Sequence, residues 1–353
     1  MIFNCIVYQE MFSKHFGLAL ASSLLALSAQ GAVFVVAHPD DDVLMMGPNL
    51  IQEIRRNAPT VIIVVTAGDA GKGPLAKLPQ VNEASQTSFN DHGNPYYRVR
   101  LMARERALDA MMPADKPRQV RRAMVDLGAN TRQVEQVTIG NVTEYRLNLP
   151  DQVEWASTFT TMQKLRDDPN FVTHDVERGN TYDRATLRRV IRKIIRLHNR
   201  NMARVAIHYQ EPAPVNPRLD HADHSAAGAL VKSAIEEQPL FRCVRQAIYP
   251  GYPAAAVLSS DQKYFFPKLV DAQKAAYESL HAVLRDYGNI SPLTGAPVNM
   301  GTPAGITTAY PSTAQGIQRQ RGTMDEGHTR FYGKAKWHEV ASSGPCDLSK
   351  DEA

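Results

Sequence analysis

The sequence predicts an α/β protein: an open, mostly parallel, Rossmann-like sheet with helices on both faces and a loop-rich C-terminal extension. Three observations predict it. Val33-Phe34-Val35-Val36-Ala37 and Thr60-Val61-Ile62-Ile63-Val64-Val65-Thr66 are unbroken apolar runs, the pattern of strands buried on both faces. Val43 to Arg55 between them has helical spacing, which makes a strand–helix–strand unit. A helix, strand, helix series recurs later, at Thr186–His198, Arg204–His208 and Ala222–Ile235.

The remaining elements follow in order. Ala67-Gly68-Asp69-Ala70-Gly71 closes the second strand, and Gly73 to Pro95 is a long polar loop without periodicity. Tyr97–Met112 has helical spacing. Met124–Leu127 and Thr138–Leu149 are expected as strands, the second a hairpin about Gly140-Asn141. In the Thr186–His198 helix, Leu187, Val190, Ile191, Ile194 and Ile195 form one apolar stripe. Arg188, Arg189, Arg192, Lys193 and Arg196 lie around the rest, as a solvated face does. Cys243–Ile248 is a further strand and Phe265–Leu284 a further helix. From Asn289 to about Gly322 the chain is irregular and rich in Gly, Pro, Ser and Thr.

The length of 353 residues suits one large domain with an extension. The expected division is a signal segment over 1–31, a catalytic domain over 32–288, and an extension over 289–353 packed on the same domain. Charged residues are 22% and aromatics 7%, so the chain is not broadly disordered. The net charge of +4 gathers largely on one helix and comes with no nucleic-acid motif. Lys14 and His15 precede the apolar run Phe16–Ala29, and small residues follow to Ala32, which is the pattern of a secretory signal. Met11 is the better start for it. The expected product is exported, periplasmic or secreted, and keeps no membrane span after cleavage. Cys243 and Cys346 remain after Cys5 is lost, and an oxidising compartment favours their pairing.

Two clusters carry chemistry. His38-Pro39-Asp40-Asp41-Asp42 lies where a buried strand gives way to a helix, the sheet edge where open α/β folds bind ligands. Pro39 and the acids suit a helix start, and three consecutive acids after a His suit a divalent cation. His221-Ala222-Asp223-His224 occupies a second junction of strand and helix. Two His three residues apart can share one face of a helical turn, with a nearby carboxylate fixing the ring tautomer. Singly, each is compatible with a polar helix start. Jointly they supply His, Asp and His with one open position, the arrangement of a catalytic zinc site. Gly68 and Gly71 do not make a Gly-x-Gly-x-x-Gly fingerprint, and no Gly-x-Ser-x-Gly elbow is present.

With Ala37-His38-Pro39-Asp40-Asp41 and His221-x-Asp223-His224 in place, the chain resembles the PIG-L/LmbE-like family of zinc N-deacetylases over about Ala32 to Arg285. Thr66–Gly71 is similar to the family's segment after its second strand. The resemblance implies Zn²⁺ on His38, Asp41 and His224. It implies Asp40 as general base, His221 as general acid or oxyanion stabiliser, and Asp223 as partner to His221 or the metal. The implied reaction removes acetyl from an N-acetylglucosamine-type sugar or glycoconjugate. The family usually has Glu where this chain has Asp42, and it places an Arg and a Glu on the helix after the second strand. Arg104-Glu105 or Arg100 matches that feature. Two other readings compete: a zinc amidase for another small N-acyl metabolite, and a non-catalytic, metal-stabilised carbohydrate-binding protein. Asp40 and His221 argue against the last, since binding alone needs neither.

Overall fold

The structure is a computed structural model that describes residues 31–69, 96–115, 119–128, 131–151, 159–199, 205–213, 220–237, 244–249 and 336–339. The expected signal segment, the Gly73–Pro95 loop up to Pro95, the Phe265–Leu284 helix, Cys243, Cys346 and most of the extension lie outside the described residues.

The central strands are those the apolar runs predict. β1 (Ala32–Val36) pairs in parallel with β2 (Thr60–Thr66) on one side, Ala32 opposite Thr60, and with β8 (Val205–Gln210) on the other, Ala32 opposite Ala206. β5 (Val142–Leu149) continues the parallel sheet beyond β2, and β9 (Val244–Tyr249) beyond β8. Antiparallel strands finish both edges. β4 (Val134–Ile139) and β3 (Val120–Val125) follow β5, and β10 (Lys336–Glu339) follows β9. The full order is β10-β9-β8-β1-β2-β5-β4-β3. A two-stranded ribbon, β6 (Thr173–His174) with β7 (Thr181–Tyr182), stands apart.

Alternation along the strands divides the core between two faces. Val33, Val35, Val61 and Ile63 pack with Leu187, Val190, Ile191 and Ile194 of α5 (Arg184–Asn199) and with Leu230 and Val231 of α6 (Ala222–Glu236). Phe34, Val36, Ile62 and Val64 pack the opposite way, on Leu50, Ile51 and Ile54 of α2 (Gly47–Arg55) and on Ala103, Ala107 and Leu108 of α3 (Tyr96–Met111). Helices therefore cover both faces. Gly228 of α6 lies so close to β8 that an added Cβ would fall 2.9 Å from the carbonyl carbon of Gln210. None of the described helices is long and apolar enough to cross a membrane.

The structure corrects several boundaries. The expected helix from Val43 to Arg55 is two helices, α1 (Asp41–Met45) and α2, because Pro48 in the first turn of α2 cannot donate back into a continuous helix. β3 begins at Val120 rather than Met124. It is an edge strand with both faces largely in solvent, so it lacks an apolar alternation. The hairpin forms as expected, Ile139 opposite Val142, with Gly140 at φ 57° in the two-residue turn. α4 (Thr161–Asp167) is an addition. Its signal was present as a capping box, in which Thr160 accepts the Gln163 amide and the Gln163 side chain accepts the Thr160 amide.

The chain leaves β1 for β2 on one side, while β8 lies on the other. The crevice between the carboxyl ends of β1 and β8 is thus the switch point of the sheet, where such folds bind ligands.

Candidate metal centre and catalytic site

Parallel strands deliver the site from one edge. His38 lies just past β1, Asp151 just past β5, and Asp220 to His224 precede and open α6. β8 itself contributes Gln210 from its last position.

Asp41 organises the centre. Its Oδ2 accepts the His38 backbone amide at 2.7 Å and Nε2 of Gln210 at 3.0 Å. Gln210 is fixed in turn, its Oε1 accepting the Ala37 amide at 3.1 Å. These bonds occupy one oxygen of Asp41 and turn the other, Oδ1, to Nε2 of His224 at 3.1 Å. His224 is oriented from behind by Asp220, Nδ1 to Oδ1 at 2.7 Å. A carboxylate on one ring nitrogen leaves the other as a metal ligand. His38 presents Nδ1 to Oδ2 of Asp41 at 3.3 Å. One ligand atom from each of His38, Asp41 and His224 falls within 4.8 Å of the others, and all three residues are buried.

The donor set fits a divalent cation. Oδ1 of Asp41 is buried with no hydrogen-bond partner among the described residues. Native interiors seldom leave such atoms unsatisfied. Two imidazoles and a carboxylate make a borderline N/O set suited to zinc. Electrostatics agree. Burial opposes charge on His224, yet Asp41 and Asp220 outweigh it and hold the ring up to about 9. Burial likewise opposes charge on His38, and Asp41 and Asp151 raise it well above the usual range. Against its own burial, Asp41 is held well below the usual carboxylate range by His224 and His38. The cluster is built for positive charge.

Asp40 has a different partner. Its Oδ1 takes Nη2 of Arg100 at 2.6 Å, and Nη1 of Arg100 reaches the Gly68 carbonyl at 2.8 Å. One helical turn further along α3, Arg104 is fully buried. It binds both oxygens of Asp42 at 2.5 Å, Oε2 of Glu144 at 2.5 Å and the Pro39 carbonyl at 2.7 Å. The two arginines the sequence offered as alternatives therefore do different things. Arg100 reaches Asp40, and Arg104 anchors the His38–Asp42 turn from below. Glu105 points elsewhere, to Arg122 and Arg146.

His221 is the N-cap of α6. Its Nδ1 accepts the Asp223 amide at 3.2 Å, so the neutral ring carries its hydrogen on Nε2. Its ring lies 4.5 Å from that of His38, edge on. Burial, with His38 adding to it, pushes His221 down to about 4. Asp223 is buried beside it, with Oδ2 at 3.9 Å from the His221 Nδ1 and 3.5 Å from Nε2 of His38. The Thr160 hydroxyl donates to its other oxygen.

The sequence missed Asp151, Asp220, Gln210 and Thr160. Asp151 had a positional signal, since it follows the strand end at Leu149. That signal becomes legible only once β5 is known to run parallel to β2.

The fold and the buried cluster define an α/β protein with a group of His and Asp side chains that could hold a metal ion at the switch point of its sheet. Residues 33–235 match the family described as PIG-L, GlcNAc-PI de-N-acetylase, and the chain belongs to that family. No curated protein matches it. Among solved structures, a deacetylase of teicoplanin biosynthesis is 14% identical, covers 76% of this chain and 88% of its own, and has a TM-score of 0.40. The N,N'-diacetylchitobiose deacetylase of Pyrococcus horikoshii is 15% identical, covers 86% and 97%, and has a TM-score of 0.36. GalB of Pseudomonas putida KT2440, a 4-carboxy-2-hydroxymuconate hydratase, is also 15% identical, covers 71% and 78%, and has a TM-score of 0.36.

Proposed function

We propose that the protein is a zinc-dependent N-deacetylase that releases acetate from an N-acetylglucosamine-type sugar or glycoconjugate. The observation that carries this reading is the buried convergence of His38, Asp41 and His224 beside a separate carboxylate, Asp40, held by an arginine. His38, Asp41 and His224 would hold the ion. Zinc, when bound there, supplies an acidified water and a polarised amide carbonyl.

The protein's residues do the rest. The Asp40 carboxylate takes a proton from the attacking water as its oxygen bonds to the acetyl carbon. Arg100 holds that carboxylate in place. The neutral His221 ring donates from Nε2 to the developing oxyanion. Its depressed basicity suits an N–H donor rather than an imidazolium. The C–N bond then breaks, and the proton on Asp40 passes to the leaving nitrogen. Acetate and a free amine result. Asp223 fixes the His221 ring through its backbone amide and faces His38 with its carboxylate.

Acetate release from a panel of N-acetylated sugars tests this, using protein stripped by chelator and protein reloaded with zinc. Zinc-restored release is expected. A zinc-loaded protein inert on every N-acetyl sugar, yet active on another N-acyl compound, would move the reading to a general amidase. Inertness on all of them would leave a binding protein. We also propose that the mature enzyme is exported from the cytoplasm, a reading supported by the Lys14-led apolar run. N-terminal sequencing of native material should find a start near residue 30.

A further inference from the structure

His38 has a second face. Its Nε2 lies 3.6 Å from Oδ1 of Asp151 and 3.5 Å from Oδ2 of Asp223. Both distances are too long for hydrogen bonds. Both carboxylate oxygens are buried, and neither has a hydrogen-bond partner among the described residues. One imidazole N–H could satisfy only one of them. Leaving the other bare in a buried site is costly, so a proton or a cation belongs between them.

Spacing favours the cation. Atoms that ligate one zinc lie within a few ångströms of one another, as the potential ligand atoms do here. His221 completes the set: one ligand atom from each of His38, Asp151, His221 and Asp223 falls within 4.8 Å of the others. His221 is also the accessible member, its side chain 29% exposed against 5% for Asp151 and 0% for Asp223, which gives an ion a way in.

We propose that Asp151, His221 and Asp223 form a second divalent-cation site that shares the His38 ring as a wall with the first. Two carboxylates and an imidazole suit a first-row divalent ion such as zinc. Affinity is lower than at the first set, because a dication across the same ring repels the second. Filling this site removes the His221 donor and inhibits the enzyme. The inhibition rests on the deacetylase reading, but the binding does not.

Equilibrium dialysis of the full chain against zinc, with elemental analysis, tests it. Wild type should take up one tight and one weaker equivalent. Asp151→Asn, which keeps the side-chain shape, should retain the tight equivalent and lose the weaker one. His221→Ala should do the same, and it decides the matter if the Asp151 variant does not fold. Asp41→Asn should lose the tight equivalent alone, and failure there would count against the proposed function, not against this site. Excess zinc should slow wild-type deacetylation by at least about tenfold as the second equivalent binds, through loss of the His221 donor. A single equivalent at saturation, or a weaker one that survives both Asp151→Asn and His221→Ala, overturns the proposal.

Discussion

Gly68 and Arg100 occupy mutually dependent positions. Gly68 has φ +62°, and a Cβ added to it would lie 2.8 Å from the guanidinium carbon of Arg100 and 2.7 Å from Cδ of Pro39. The guanidinium can reach both the Gly68 carbonyl and Asp40 only because that space is empty. Gly68→Ala should therefore push Arg100 off Asp40 and add about 1–2 kcal/mol of backbone strain. Zinc content should hold, since the atoms nearest an added Cβ belong to Arg100 and Pro39 and to none of the three proposed ligands. kcat should fall by at least about tenfold, because misplacing a catalytic group by an ångström is that expensive or worse. Steady-state kinetics and metal analysis on one preparation check this. Unchanged kcat would mean that Asp40 does not depend on Arg100.

Arg104 should matter to stability more than any other charged residue of α3. It is buried between Asp42 and Glu144, and breaking a buried pair from one side leaves uncompensated charge. Arg104→Met should cost about 3–5 kcal/mol, read from urea unfolding. Adding Asp42→Asn to that variant should cost less than the two single changes summed, because both remove one interaction. Strict additivity would show that the pair is not coupled in solution.

The contrast between Asp42 and Asp151 shows what the sequence made legible. The parallel core was readable because both sheet faces are buried, which turns β1 and β2 into unbroken apolar runs. His38, Asp41 and His224 were readable because each sits in a short motif at a strand-to-helix junction. Asp42 was visible, but its partner was not: Arg104 and Glu144 join it from 62 and 40 residues beyond their own partners, and nothing local records that. Asp151 has no motif at all. It reaches the site through the register of β5 against β2, a long-range fact. The exposed edge strand β3 lost its alternation to solvent, and the break between α1 and α2 was overlooked although Pro48 announced it.

Zinc uptake should depend on pH in a direction the imidazoles fix. In the metal-free protein His224 is held up to about 9 and His38 is raised well above its ordinary value, so both rings are protonated at neutral pH. A raised folded-state pKa stabilises the metal-free fold fully below about pH 6.5, and that contribution is lost as pH rises through the folded value. Zinc must displace these protons. Its affinity should therefore climb with pH below about 9, including the whole span from about pH 6.5 to 9, by up to about tenfold per pH unit for each proton displaced. The melting temperature of the metal-free protein should fall over the same window. Competition against a chelator at several pH values measures the first effect. A flat affinity would show that these rings are not the ligands.

Asp40 and Asp41 are adjacent in sequence but should behave as different kinds of residue. Asp41 is fully buried, with one oxygen fixed by the His38 amide and Gln210 and the other turned to His224. Asp40 is a quarter exposed, 26% at its side chain, and answers to Arg100. Asp41→Asn removes the anionic ligand between the two imidazoles, so most of the tightly bound zinc should be lost, as with His38→Ala or His224→Ala. Asp40→Asn keeps size and hydrogen-bonding shape but cannot accept a proton. Its zinc content should stay near that of wild type while kcat drops by about 10²–10⁴, the usual contribution of a general base. KM should change little, because the lost interaction exists only as the water is deprotonated. Added zinc should restore none of the activity of Asp40→Asn. The reverse pattern, with Asp40→Asn stripped of metal and Asp41→Asn loaded but slow, would exchange the roles of the two carboxylates.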